Sequence, residues 1–94
     1  LKSPRDEFGF DDRAMKAFNQ AAAYLYEQKE FEKLIGVYTF LSYLEPEDQA
    51  YWIGLGNAEY FCRHYESALL AYEAAIEADP KNPDPYLYAS HCYE

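Results

Sequence analysis

The sequence predicts an all-α fold made of antiparallel helical hairpins, and three observations carry that prediction. Between sparse breaks the apolar residues recur at the period of a helix, and no stretch shows the alternation of a strand. Two breaks, centred on Pro46 and Pro80, lie 34 residues apart. The connections "QKE" and "CRH" are so short that they join only antiparallel neighbours. The predicted helices span residues 12–28, 31–45, 48–62, 65–79 and 83–94.

Residues 49–82 carry a repeat pattern within this period. Helical hairpins that repeat every 34 residues are typical of tetratricopeptide repeats, whose pattern is W-x2-L-G-x2-Y, then A-x3-F, then A and P. Glu59 stands where that pattern has tyrosine. Gly56 and Ala68 would let the two helices approach closely, and Pro80 would end the second one. The matching positions, with tyrosine in place of phenylalanine, are Trp52, Leu55, Gly56, Ala68, Tyr72, Ala75 and Pro80.

The resemblance to tetratricopeptide repeats implies one domain that stacks about two and a half hairpins in a right-handed solenoid. The first repeat fits less well, because Leu34 and Leu41 stand where small residues are usual. We expect Leu34 to exchange volume with Ala22 on the facing helix. The third repeat has only its first helix, and we expect a second to follow in the full protein. The predicted units are a partly flexible N-terminal remnant at 1–11 and a domain at 12–94, with repeats at 15–48, 49–82 and 83–94.

The charge of the chain disfavours several classes of partner. Eight basic residues are scattered among 17 acidic ones, which gives a net charge of −9. Neither nucleic acid nor an anionic membrane surface is therefore an expected partner. No apolar run approaches the roughly 20 residues that a membrane-spanning helix needs. We expect a cytoplasmic protein.

The reactive side chains form no catalytic or metal-binding pattern. His64 and His91 lack the local arrangement of a catalytic triad, and no glycine-rich loop could hold a phosphate. His91 and Cys92 are adjacent, so on a helix they diverge by about 100° and would not readily share a metal ion with Cys62. We expect reduced thiols, no metal, no cofactor and no enzymatic activity.

The first helix of each hairpin would line the concave side of the stack. Residues three, four and seven positions apart share one face of a helix, and the repeat period copies that face. A stripe of small, apolar, aromatic and amide side chains suits an extended peptide, whose backbone the asparagines would hold. A plainer interpretation is that Tyr26 and Tyr60 pack between repeats. The candidate peptide-binding residues are Asn19, Ala23, Tyr26, Ile53, Asn57, Tyr60, Leu87 and His91.

An acidic C-terminal peptide is a poor ligand for this stripe. The Hsp70 and Hsp90 cochaperones of this repeat class bind such a peptide with a clamp of Lys, Arg and Asn side chains. Of the clamp positions only Asn57 matches here, and Asp84 stands where a cation is required. Because like charges repel, the sequence disfavours this ligand.

Three stretches of the chain resemble successive repeats of the class II chaperones of bacterial type III secretion, the SycD/LcrH translocator chaperones. They are "YEQKEFEKLIGVYTFLSYLEPED", "YWIGLGNAEYFCRHYESALLAYEAAIEAD" and "NPDPYLYASHCY". The aromatic–aromatic–apolar–Gly–Leu–Gly pattern of that family is matched from Tyr51 to Gly56. The family also tolerates a residue other than tyrosine at the position of Glu59.

This resemblance implies a small, acidic chaperone of the bacterial cytoplasm. It would hold an extended hydrophobic segment of a translocator protein in its concave groove. Of the groove aromatics of the family only Tyr26 carries over, because Asn19 and Ala23 stand where aromatics are common. Three alternatives stay open: a chaperone of the secretion needle subunit, a general protein-interaction scaffold, and homodimerisation through the segment before the first repeat.

Overall fold

A computed structural model describes residues 3–93 of the chain, and in that range the secondary structure is helical with no strand. The all-α prediction is confirmed. The described part measures 41 × 31 × 17 Å, so its thinnest dimension is less than two helix diameters of about 10–12 Å each. The six helices are α1 Pro4–Phe8, α2 Asp12–Glu27, α3 Phe31–Leu44, α4 Gln49–Phe61, α5 Tyr65–Ala78 and α6 Asp84–His91.

The five predicted helices are all present, and most of their ends lie within one residue of the prediction. The exception is α6, which ends at His91 instead of running to residue 94. Asp11 and Asp48 begin α2 and α4, because each side chain accepts a hydrogen bond from a backbone N–H of the first turn. Such caps satisfy donors that have no partner inside the helix.

The prediction of five helices omits α1, which lies in the segment expected to be a remnant. Ser3 accepts a hydrogen bond from the backbone N–H of Asp6, and Pro4 occupies the first turn. Gly9 ends the helix at a φ of +74°, a left-handed conformation that glycine adopts without steric cost. A helix of five residues shows too little apolar periodicity to be recognised in the sequence.

The segment around α1 lies against the first hairpin. The Arg5 side chain donates to the Phe10 carbonyl oxygen at 3.0 Å and pairs with Glu45 at 3.4 Å. The ring of Phe10 packs edge-on against Phe18 and Phe40, with centroid separations of 5.2 and 6.1 Å. These contacts join the start of the chain to both α2 and α3.

Each helix packs mainly against its neighbours along the chain, from α2 on α3 through to α5 on α6. This order is that of an array of helical hairpins. The two tight turns within the hairpins place Lys29 and Arg63 at φ values of +58° and +64°. These residues are 34 positions apart, so the repeat extends to the backbone conformation of the turns.

The buried core follows the repeat positions. Ala22, Leu34 and Ala58 form one buried cluster, so the expected exchange of volume between Leu34 and Ala22 is confirmed. In the second hairpin Tyr72 is 2% exposed, and its ring lies against Gly56, where a Cβ atom would come within 3.0 Å of the ring. Glycine at that position is what allows the tyrosine to fill the space between α4 and α5.

Candidate peptide-binding groove

Three of the predicted peptide-binding residues line one pocket between α4, α5 and α6. The pocket has a volume of about 180 Å³ and is lined mainly by aromatic side chains. Its volume is below that of a typical small-molecule site, and it suits one side chain of a bound peptide. The lining residues are Asn57, Tyr60, Phe61, Tyr72, Tyr88 and His91.

The side chain of Asn57 lines the pocket, and its one hydrogen bond among residues 3–93 uses the amide oxygen, which leaves the amide nitrogen as a donor. The Tyr72 hydroxyl donates to Asn57 Oδ1 at 2.6 Å, which fixes the orientation of the amide. Burial raises the pKa of Tyr72, so the hydroxyl stays protonated and continues to donate in the physiological range. Asn57 Nδ2 can then donate to the carbonyl oxygen of a bound peptide, as the sequence analysis predicts.

Asn19 is placed differently from Asn57. Its Nδ2 donates to the carbonyl oxygen of Met15 and to the hydroxyl of Tyr51, each at 2.9 Å. Both amide hydrogens are used, so only the side-chain oxygen is left to meet a peptide backbone. Asn19 therefore links α2 to α4, and its predicted role of donating to a peptide carbonyl passes to Asn57.

A row of aromatic rings crosses the turn end of the two hairpins; we call it the aromatic ladder. Tyr26 packs edge-on against both Phe31 and Phe61, and Phe31 stacks on Phe61 with centroids 4.7 Å apart. Tyr60 continues the row to Tyr65 at 5.4 Å. Tyr26 is still 52% exposed, so it packs between repeats and also presents its ring to solvent.

The aromatic ladder contains residues that the sequence analysis does not select. Phe31, Phe61 and Tyr65 are absent from the predicted set, although Phe31 and Tyr65 are equivalent positions of the two repeats. These residues could be found in the sequence, because an aromatic residue lies close to each side of both hairpin turns. Tyr72 and Tyr88 also line the pocket without having been predicted to do so.

The remaining predicted residues lie along the first helices outside the pocket. Ala23 and Leu87 are exposed and Ile53 is half-buried. Leu87 is 57% exposed, so its side chain is accessible to a partner. On α4, Ile53, Asn57 and Tyr60 lie within about 60° of one another around the helix axis.

Glu59, which stands where the tetratricopeptide pattern has tyrosine, has a partner in the turn between α4 and α5. Glu59 is only 9% exposed, and its carboxylate lies 3.2 Å from Nδ1 of His64. The His64 backbone N–H also donates to the Glu59 carbonyl oxygen at 2.9 Å. A carboxylate thus takes the place of the expected tyrosine ring, and it holds the turn through the histidine.

The cysteines are free thiols with partly buried side chains. Burial raises the pKa of both Cys62 and Cys92, which keeps them protonated and weakly nucleophilic at neutral pH. Among residues 3–93, no three His, Cys, Asp or Glu side chains lie close enough together to hold a metal ion. No helix in the same range is long and apolar enough to span a membrane.

A larger cavity of about 610 Å³ lies at the start of α5. Arg63, His64 and Tyr65 line it and are exposed, while Cys92 is half-buried. None of the predicted groove residues lines this cavity, whereas three line the smaller aromatic pocket, so we place the candidate site there.

Comparison with solved structures finds a close structural similarity. No protein-family model matches the chain, and no curated protein matches it. A solved structure of the CopN-Scc3 complex contains a chain that superposes with a TM-score of 0.93 and is 26% identical in sequence. The alignment covers 99% of this chain and 55% of that chain, so this chain spans about half the length of its structural neighbour. The helices of this chain are therefore arranged like those of a chain that was solved within a protein complex.

Proposed function

We propose that this protein is a type III secretion chaperone that binds an extended hydrophobic segment of a translocator protein. The segment would lie in the concave groove formed by α2, α4 and α6, in the bacterial cytoplasm. The chaperone would keep the translocator unassembled until secretion and would carry out no chemical step. A generic interaction scaffold and a needle-subunit chaperone are the alternatives that the experiments below must separate from it.

The observation that carries this proposal is the pocket around Asn57. An extended peptide presents alternating side chains and carbonyl oxygens, so it needs an apolar cavity beside a hydrogen-bond donor. Tyr60, Phe61 and Tyr88 provide the cavity, and Asn57 Nδ2 provides the donor next to it. Leu87 extends the apolar surface along α6, where it is largely exposed.

The comparisons support the broader part of the proposal. Similarity to a chain of the CopN-Scc3 complex supports a type III secretion chaperone that binds a partner protein. The resemblance of Tyr51 to Gly56 to the translocator chaperones supports the narrower assignment. The charge also fits, because an acidic protein with Asp84 at its groove would repel an acidic peptide tail.

Peptide binding tests the proposal directly. A labelled peptide with proline and leucine at the translocator spacing is titrated with the protein, and fluorescence anisotropy is recorded. We expect saturable binding that is lost when the peptide is scrambled. Tyr60→Ala and Leu87→Ala should each weaken binding by about five- to thirtyfold, as for aromatic and apolar anchors of an interface.

A matched control is available on the second hairpin. Leu70 is 67% exposed on α5 and lies outside the pocket around Asn57, so Leu70→Ala should leave binding unchanged. Equal binding of the scrambled peptide would favour a scaffold. Binding of a needle-subunit peptide in preference to the translocator peptide would favour the needle chaperone. An equal loss of affinity in Leu70→Ala and Leu87→Ala would contradict the assignment of the groove.

A further inference from the structure

Two cavities meet at Trp52 on a side of α4 that faces away from the groove. Trp52 and Leu55 leave α4 at angles of about 80–160° around the helix axis from Ile53, Asn57 and Tyr60. A peptide in the groove therefore does not reach Trp52. We call the two cavities together the Trp52 site.

The first cavity of the Trp52 site is apolar and has a volume of about 440 Å³. Trp52 and Leu55 of α4 form one wall, and Tyr43 of α3 forms another. Pro4 closes the cavity from α1, which the Arg5 ion pairs hold in place. Tyr43 is 58% exposed, so an apolar surface of this size remains open to a partner.

The second cavity is acidic and shares Trp52 and Pro46 with the first. It has a volume of about 490 Å³, and Glu47 and Glu77 line it together with Trp52 and Pro46. Among residues 3–93, no Lys, Arg or His lines either cavity. The wall formed by Glu47 and Glu77 is therefore acidic within that range, in a chain whose net charge is −9.

The indole ring is fixed between the two cavities. Trp52 Nε1 donates to the carbonyl oxygen of Pro46 at 2.6 Å, so the ring needs no reorientation to receive a ligand. The edge that carries the N–H is used by Pro46, and the ring itself is the wall that both cavities share. A tryptophan face beside two carboxylates attracts a cation both by its quadrupole and by direct charge.

We propose that the Trp52 site binds a basic, amphipathic segment of a partner protein. An apolar side chain of the segment enters the cavity of Pro4, Tyr43 and Leu55. A neighbouring Lys or Arg side chain lies over Trp52 and between Glu47 and Glu77. This is a second docking surface, independent of the peptide groove, and it selects for positive charge where the groove selects for apolar side chains.

Trp52 is the single tryptophan of the chain, so its emission reports occupancy of this site alone. The probes are two peptides with the same pair of leucines, one followed by two lysines and the other by two glutamates. We expect the lysine peptide to shift the emission of Trp52 in a saturable, salt-sensitive manner. The glutamate peptide should produce no shift, because Glu47 and Glu77 would repel it.

Charge-neutralising variants test the acidic wall. The double variant Glu47→Gln/Glu77→Gln should weaken binding of the lysine peptide about three- to tenfold, since partly exposed ion pairs contribute modestly. The control variant Glu32→Gln/Glu66→Gln changes the net charge equally at exposed positions outside both cavities and should leave the affinity unchanged. Equal weakening by both variants, or an equal emission shift with both peptides, would overturn the proposal.

Two further outcomes separate this site from other occupants. If the Trp52 emission shifts with protein concentration alone and light scattering shows a dimer, a second copy occupies the site and the proposal fails. The groove variant Tyr60→Ala should leave the response to the lysine peptide intact. If the unaltered protein fails to bind the translocator peptide but responds to the lysine peptide at Trp52, the result counts against the chaperone proposal and not against this one.

Discussion

The two hairpins carry a tyrosine at the same position of their second helix and use it differently. Tyr72 is buried over Gly56, and its hydroxyl donates to Asn57. Tyr38 is half-buried with its ring against Gly54 of the next hairpin, and its hydroxyl has no hydrogen bond within residues 3–93. Both rings also meet the next hairpin, Tyr38 at Gly54 and Tyr72 at Tyr88, so the difference lies in the burial of Tyr72 and in the hydrogen bond of its hydroxyl.

The small residues around each tyrosine account for this difference. Ala68 and Ala75 leave room in the second hairpin, so Tyr72 fills the space between α4 and α5. In the first hairpin the equivalent positions are Leu34 and Leu41, both buried, and the space is already filled. The candidate pocket around Asn57 lies beside the second hairpin, where the tyrosine hydroxyl donates to an asparagine.

The largest expected effect on stability comes from truncating Leu34, which stands where tetratricopeptide repeats usually have a small residue. Leu34→Ala should lower the free energy of unfolding by about 3 kcal/mol, because it leaves a cavity next to Ala22. Urea denaturation followed by circular dichroism measures the change. Leu70→Ala, an exposed leucine of the second hairpin, should change stability by less than about 0.5 kcal/mol. Similar losses in both variants would mean that Leu34 does not fill the core of the first hairpin.

A methyl group at Gly56 tests the packing of the second hairpin. Gly56→Ala should cost about 2 kcal/mol, because its Cβ would come within 3.0 Å of the buried Tyr72 ring. The equivalent position of the first hairpin is already Ala22, which is buried without disturbing that hairpin. Thermal unfolding of Gly56→Ala measures this loss of stability as a fall in the melting temperature. An unchanged melting temperature would show that the tyrosine can move aside and that the hairpins do not differ in this way.

The two tyrosine hydroxyls give a smaller and sharper contrast. Tyr72→Phe should cost about 1 kcal/mol, because the hydrogen bond to Asn57 is lost. Tyr38→Phe should change stability by only a few tenths of a kcal/mol. In a peptide titration Tyr72→Phe should also weaken binding, since the Asn57 amide is no longer oriented. Equal losses of unfolding free energy in Tyr72→Phe and Tyr38→Phe would show that the two hydroxyls contribute equally to stability.

The smallest expected effect is a gain in stability. Gly36 lies in α3, and nothing within 4 Å would meet an added Cβ atom. Gly36→Ala should therefore raise the free energy of unfolding by about 0.5–1 kcal/mol, because alanine favours the helix over glycine. Chemical denaturation gives the sign of the change. A loss of stability would indicate that α3 is covered at this position by contacts absent from residues 3–93.

The helices were predictable because their apolar period and their breaks are local properties of the sequence. The bounds of α2 through α5 follow from Asp caps, short turns and prolines, all readable within a few residues. The helix α1 was not predictable in this way. Its position depends on the ion pair of Arg5 with Glu45, a contact between residues far apart in the chain.

The candidate site was predictable in part for the same reason. The repeat period places Asn57, Tyr60 and His91 on one surface, and the structure brings them into one pocket. Hydrogen-bond partners across helices do not follow from the period. The link from Asn19 to Tyr51 and that from Tyr72 to Asn57 decide which amide faces a ligand, and each depends on side-chain geometry.

The stacking of hairpins along one direction has a consequence for cooperativity. Because each helix contacts mainly its chain neighbours, unfolding can begin at either end and spread inward, as in a one-dimensional array. We expect amide hydrogens of α4 to exchange slowest and those of α1 and α6 fastest. A segment bound across α2, α4 and α6 would contact helices at both ends of the array, which otherwise connect through the helices between them. The bound segment would then hold the two ends of the array together, and these ends would open only after the segment dissociates.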